Sequence, residues 1–274
     1  MPAVLGVDIG GTKIATGLVN ERAEVSSVRS FPTLANQGYG TSIGQVWAAI
    51  EGSLHPQVKA IGICAPGPLN PKTGVVLNPP NLLGWHNVAL AQMAQDRFGI
   101  PVRVENDCNA AGLAEARFGV AKGCNSVFYA AIGTGIGSGI ILDGKIYHGK
   151  NGAAAEGGHV SIDYRSETVC RCGSRGCIEA LASGHVLERI GAYDLNEIAL
   201  QLGAWLGSVV SLLDPDIIVI GGGVSKIGEP LFERLRAIVP TRTVNPHARE
   251  LPIVPAHFGA EAGIVGAAAV VMTP

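Results

Sequence analysis

The sequence states one plan twice. "VLGVDIGGTKIATGLVN", residues 4–20, reads as an apolar strand, a glycine turn at Gly10-Gly11 and a second strand closing at Asn20. "SVFYAAIGTGIGSGIILDG", residues 126–144, repeats the order of apolar strand, glycine turn carrying a Thr, apolar strand and Asp-Gly turn. A duplicated design predicts two lobes. Length agrees, because 274 residues exceed what a single core usually holds. The expected lobes are 1–118 and 119–274, divided near Phe118 to Cys124, with the last helix able to pack back onto the first lobe.

Helices alternate with strands between and after the two hairpins. Ile43, Val46, Trp47, Ile50 and Leu54 fall at helical spacing before the buried strand "VKAIGIC". "VALAQMAQDRFG" stops at Gly99 with Pro101 just beyond, and the strand "VRVE" follows. Leu195, Ile198, Leu202, Trp205, Leu206 and Val209 share one helical face, "DIIVIGGG" is a strand meeting a third glycine turn, and "AEAGIVGAAAVVM" is a helix of small residues suited to close packing. The class is α/β.

Charge narrows the partners. Twenty Lys and Arg stand against 22 Asp and Glu, with no basic run. That pattern argues against nucleic acid and against an anionic membrane surface, leaving small molecules. No signal peptide or membrane span is read, and six cysteines in a chain this long do not form a secreted disulfide framework. A cytoplasmic location is expected.

Three glycine turns follow strands: Gly10-Gly11-Thr12-Lys13, Gly133-Thr134-Gly135-Ile136-Gly137 and Gly221-Gly222-Gly223. Missing side chains let backbone N–H groups approach phosphate oxygens. None matches a P-loop or a dinucleotide fingerprint, since Ser138 or Lys226 occupies the third glycine position. Any single turn could be a plain hairpin tip. Together with Asp8, the three point to a nucleotide held between lobes.

Two further stretches carry chemistry. In "VENDCNAAGLAEARFG" a strand delivers Glu105-Asn106-Asp107 into the start of a helix. Asp and Asn there serve either as helix caps or as a base beside a substrate-holding amide. In "EGGHVSIDYRSETVCRCGSRGCIEALASG", His159, Cys170, Cys172 and Cys177 supply the four donors of a closed tetrahedral zinc shell, with Gly173 and Gly176 allowing a tight fold. A redox pair or unrelated buried thiols would be the alternative. Cys64, Cys108 and Cys124 stand alone and read as small core residues. Glu156 and Glu179 flank the cluster, placed to grip hydroxyls of a polar ligand.

Taken in order, "DIGGTK", "APGPLNPKTGVVLNPPNLLGW", "ENDCNAAGLAE", "IGTGIGSGIILDGKIYHG", "EGGH", "CRCGSRGCIEALASG" and "IGGGVS" resemble the ROK-family sugar kinases, nearest in pattern to the bacterial glucokinases. The resemblance covers nearly the whole chain. It implies the two-lobed actin-like ATPase (ribonuclease H-like) fold, with a nucleotide and sugar cleft between the lobes. It implies transfer of the γ-phosphoryl group of ATP, with Mg²⁺, to a hexose such as glucose, and a homodimer. Asp107 would be the catalytic base; Asn81, Asn106, Glu156, His159 and Glu179 would face the sugar, with His159 also a ligand of a structural Zn²⁺. The turns Asp8–Lys13 and Gly133–Gly137 would hold phosphates, and Gly221–Val224 the adenosine. An aspartate near its ordinary pKa of about 3.9 would be a weak base that acts late.

Two departures from the family pattern stand out. The connection from Ser183 to Asp214 is short, where family glucokinases carry extra helices over the nucleotide base, and Ala155 occupies a position that is often Gly. N-acetylmannosamine or N-acetylglucosamine kinase, fructokinase and polyphosphate-using glucokinase share the hydroxyl-gripping residues. A sugar-responsive regulator is the non-catalytic alternative, disfavoured because only Met1 to Val7 precede Asp8, too few for a recognition helix.

Overall fold

The computed structural model describes residues 3–186 and 194–272. The first sheet has the order β3-β2-β1-β4-β7, from β1 (Ala3–Ile9), β2 (Lys13–Val19), β3 (Val25–Pro32), β4 (Val58–Ala65) and β7 (Val102–Asn106). The hairpin β5 (Leu69–Asn70) and β6 (Val75–Val76) stands apart. The second sheet repeats the plan as β10-β9-β8-β11-β12, from β8 (Ser126–Ile132), β9 (Ile136–Leu142), β10 (Lys145–Ile146), β11 (Ile217–Gly221) and β12 (Ile253–Pro255). In each sheet an antiparallel pair built on a glycine turn is extended by two parallel strands. The parallel strands β4 and β11 are the most continuously apolar, as expected of strands covered on both faces.

Helices α1 (Tyr39–Ser53) and α2 (Leu90–Phe98) cover the outer face of the first sheet. Ile43, Val46 and Ile50 of α1 meet Leu5, Val7, Ile61 and Ile63 of the strands. Trp85 is buried there, its indole N–H donating to Ser42 Oγ at 2.8 Å, which satisfies the polar atom its burial would otherwise leave unpaired. The second core is built likewise by α5 (Leu195–Leu213) and α6 (Glu229–Ile238) over Phe128, Ile218 and Ile220. By length and composition α5 could cross a membrane. Its Ile198, Leu202, Trp205, Leu206 and Val210 are instead buried in this core. The small helix α4 (Ile178–Ala182) follows the cysteine loop and packs against α5.

Between the sheets lie α3 (Asp107–Phe118) and α7 (Ala262–Val271), packed on one another. Both are rich in Ala and Gly because the gap they fill is narrow. A Cβ on Gly266 would run into the Ala110 backbone, and one on Gly62 into the Ala267 carbonyl. Residues 107–118 close the first half in sequence, yet α3 also touches β8 and β9 of the second sheet, and α7 returns from the chain's far end to β1 and β4.

Candidate active site

β7 ends at Asn106, and the side chain of Asn106 starts α3: its Oδ1 accepts from Cys108 N at 3.0 Å and Asn109 N at 3.1 Å. Capping therefore belongs to Asn106. Asp107 stands at the first helical position, one oxygen accepting from Cys108 N at 2.8 Å. With the capping done by its neighbour, the rest of the Asp107 carboxylate is available. Burial and the nearby Asp8 carboxylate push its pKa up to about 6, against the pull of the Cys108 hydrogen bonds and with a small further rise from Glu156. The expectation of an ordinary, weakly basic aspartate is thus corrected; the cause is burial together with the long-range placement of a second acid. Asp8 is raised too, chiefly by burial, while the Cys64 thiol, donating at 3.3 Å, and Lys13 hold it down.

The turn after Asp8 closes with Gly10 N donating to Lys13 O at 2.9 Å, and Thr33 Oγ1 donates to Gly10 O at 2.7 Å. Gly11 abuts Asn81: a Cβ there would stand 3.1 Å from the Asn81 carbonyl oxygen. Thr12 and Lys13 are exposed beside it. In the second turn Gly133 N donates to Gly135 O at 2.9 Å, leaving Thr134 exposed at the tip. The third turn meets the second. Gly222, with φ of 84°, presses on the end of β8 where a Cβ would strike the Ile132 carbonyl, and a Cβ on Gly133 would lie 4.0 Å from Gly223 N. Gly221 is buried at the end of β11, so its neighbours present the turn to solvent.

His159, Cys170, Cys172 and Cys177 converge: their donor atoms all lie within 4.8 Å of one another. Cys172 and Cys177 sulfurs are 3.7 Å apart, and Cys170 Sγ is 3.6 Å from His159 Nδ1. Bonds of about 2.3 Å to sulfur and 2.0 Å to nitrogen at tetrahedral angles demand edges of about 3.8 and 3.5 Å, so the donor set fits a structural zinc ion. None of the six cysteines is in a disulfide. Glu179, directly after this loop, accepts from Ile136 N at 2.9 Å through Oε2, tying the cysteine loop to the second glycine turn.

A cavity of about 650 Å³ is walled by Asn81, Asn106, Thr134, Gly135, Glu156, His159 and Glu179 among others. The size suits a small polar molecule. Asn106 Nδ2 and Glu156 Oε1 close on the same spot, 3.4 and 3.8 Å from where a Gly67 Cβ would be. Asp8, Asp107 and the turn at 221–223 are outside its walls, Asp107 lying one residue behind Asn106.

Sequence reasoning missed the supporting roles of four side chains. Ser138 donates to Ala155 O at 2.6 Å and accepts from Gly157 N at 3.1 Å, so it clasps both sides of Glu156. Glu105 pairs with His148 Nε2 at 2.7 Å and accepts from Asn106 N at 2.9 Å. Glu115, fully buried, accepts from His257 N, Phe258 N and Val120 N. A Ser, two Glu and a His carry no spacing that marks them, although Glu115 in an Ala-rich helix is a buried-carboxylate signal.

Two sheets of one topology, three glycine turns and a cleft between them define the actin-like ATPase fold. The ROK family model matches residues 4–198 and 190–273, and the chain belongs to the ROK family. A glucokinase of Streptomyces coelicolor is 32% identical over 317 aligned positions, covering 100% of this chain and 99% of the relative. Among solved structures, the ROK hexokinase of Thermus thermophilus superposes with a TM-score of 0.85 at 33% identity, over 97% of each chain. A ROK-family glucokinase of Streptomyces griseus in complex with glucose and AMPPNP gives 0.83 at 33% identity, over 98% of each chain.

Proposed function

We propose that the protein is an ATP-dependent hexose kinase that makes glucose 6-phosphate from glucose. The observation that carries the reading is Asp107: a half-buried carboxylate with pKa about 6, freed from capping, next in sequence to the cavity-lining Asn106 and within reach of the Asp8 charge. The relatives named above are a glucokinase, a hexokinase and a glucokinase holding glucose and AMPPNP.

In this reading Asn81, Asn106 through its amide N–H₂, Glu156, His159 and the Glu179 oxygen not bound to Ile136 hold the sugar hydroxyls. Asp107 accepts the proton of the 6-hydroxyl as its oxygen attacks the γ-phosphorus and ADP departs. A base whose pKa approaches the working pH suits that task better than an ordinary aspartate, and general-base help of this kind contributes on the order of 10²–10⁴-fold. The turns Gly10–Lys13 and Gly133–Gly137, through the amides of Gly11, Thr12, Thr134 and Gly135, with Lys13 and the two Thr hydroxyls, cradle the phosphates, and Gly221, Gly222 and Gly223 the adenosine. Asp8, two residues before the first glycine turn and within reach of the Lys13 charge, would serve a cation bound there. Mg²⁺ bound with the nucleotide supplies charge neutralisation. His159, Cys170, Cys172 and Cys177 would hold a structural Zn²⁺, which would fix the loop between Glu156 and Glu179.

Closure of lobes 1–118 and 119–274 shields the reaction from water, which competes with the sugar as acceptor. We place the enzyme in the cytoplasm as a homodimer, a state that analytical ultracentrifugation checks. The test of the activity is a coupled assay of the purified chain against glucose, mannose, fructose and the two N-acetylhexosamines, with ATP and polyphosphate as donors. Fastest turnover of glucose with Mg·ATP is expected; no turnover of any hexose with either donor would sink the proposal.

A further inference from the structure

A second cavity, of about 540 Å³, opens beside the strand that carries Asn106 into the cleft. Its walls bring together Lys72 of the β5–β6 hairpin, Arg103 of β7, Arg117 of α3, and Lys145 and His148 at β10. Arg103 and Glu105, two residues apart, share one face of β7. Glu105 is the carboxylate lining this cavity among the described residues, and it is already engaged by His148, Asn106 N and Asn109 Nδ2. None of Lys72, Arg103, Arg117 and Lys145 forms an ion pair among the described residues. Four unpaired cations in one concavity are unusual in a chain that carries 20 in total and a net charge of −2.

The two guanidiniums are held, not loose. Arg117 Nη1 donates to Ala269 O at 2.6 Å and Met272 O at 2.9 Å, and Arg103 Nη1 to Val270 O at 3.4 Å. These contacts cap the end of α7 and use one nitrogen of each fork, leaving the others without partners among the described residues. Burial, and then the neighbouring Arg103 charge, depress the pKa of Arg117, so the two cations lie close enough to repel one another. Rigid forks facing one space match the tetrahedral oxyanion of a phosphate.

We propose that this cavity is a binding site for a small phosphate-bearing anion, separate from the sugar and nucleotide cleft, with Arg103, Arg117, Lys145 and Lys72 as its ligands. Its volume accommodates a phosphate ester of a small polar molecule as well as inorganic phosphate. The inference stands without the kinase reading, because it concerns binding and needs no turnover.

The test is calorimetric titration of the full chain with glucose 6-phosphate and, separately, with inorganic phosphate, at low salt and in the presence of saturating AMPPNP. One saturable site with Kd below about 1 mM is expected. It should weaken at least about tenfold in Arg103→Glu/Lys145→Glu and weaken as salt rises. Tighter binding of the ester identifies an organic phosphate as the ligand, and equal binding identifies the phosphate group alone; both support the site. If the double reversal does not fold, Lys72→Ala/Lys145→Ala removes two exposed charges and should weaken binding at least about threefold. Absence of saturable binding of either probe, complete loss of it under AMPPNP, or binding unchanged in a folded variant overturns the proposal.

Discussion

Replacing Asp107 by asparagine should make the protein more stable and inactive at once. The carboxylate has a pKa of about 6 in the folded chain against an ordinary 3.8, the rise coming first from burial and then from Asp8. The sign follows from which state holds the proton. Below pH 3.8 the group is protonated in both states and contributes nothing. Between 3.8 and 6 the unfolded chain ionises while the folded one keeps its proton, so stability falls as pH rises; above 6 the full penalty is present. At about 1.4 kcal/mol for each pH unit of difference, that penalty is about 3 kcal/mol at pH 7. The amide of the variant never ionises and keeps a side-chain oxygen for Cys108 N. Urea unfolding of wild type and Asp107→Asn, at about pH 4, 5 and 7, should show a gap in favour of the variant that is about 0.5 kcal/mol at the lowest pH and grows to about 3 kcal/mol at the highest. In the wild type the same proton should cut kcat/KM about tenfold between pH 7 and pH 5, whereas an ordinary aspartate would leave it nearly flat. A variant less stable than wild type at neutral pH, or a gap independent of pH, would refute the reasoning.

Cys172→Ala removes a donor from the four-atom cluster, so zinc content by metal analysis should fall from one ion per chain, the melting temperature should drop, and sugar KM should rise as Glu156 and Glu179 lose their fixed loop. Fully active, freshly purified wild-type protein without zinc would contradict this. Ala155 sits at φ of 67°, a region that suits Gly, immediately before Glu156. Ala155→Gly should relieve the strain and raise stability by about 0.5–1 kcal/mol in denaturant unfolding, net of the extra freedom Gly gains when unfolded; a loss of stability would count against the strain.

The repeated hairpins were legible because a glycine turn between two apolar strands is local, and the cysteine cluster because four zinc donors within nineteen residues are local too. The Ala155 departure was visible as a residue choice, while its reason, a left-handed backbone, was not. Which of Asn106 and Asp107 caps α3 depends on side-chain direction, and two adjacent capping residues look alike in sequence. The elevated pKa of Asp107 draws on Asp8, almost a hundred positions away, and the His148 partner of Glu105 comes from beyond the second sheet's hairpin. Such pairings have no period. Glu115 shows the limit most clearly: its three backbone donors lie on two loops, at 120 and at 257–258, that meet only when both halves are folded.

The late position of α7 sets an order of events during synthesis. Gly6, Gly17 and Gly62 leave a bare trough on the inner face of the first sheet that is filled by Ile264 and Ala267. Until those residues emerge from the ribosome, strands made first have no cover on that side. At about 5–20 residues per second, roughly 200 residues of further translation separate β4 from α7, about 10–40 s. Throughout that interval the nascent chain presents an open apolar sheet to whatever is near it. Folding of the earlier half is therefore completed from the carboxyl-terminal end, and a chain truncated before Ala262 would expose that face permanently.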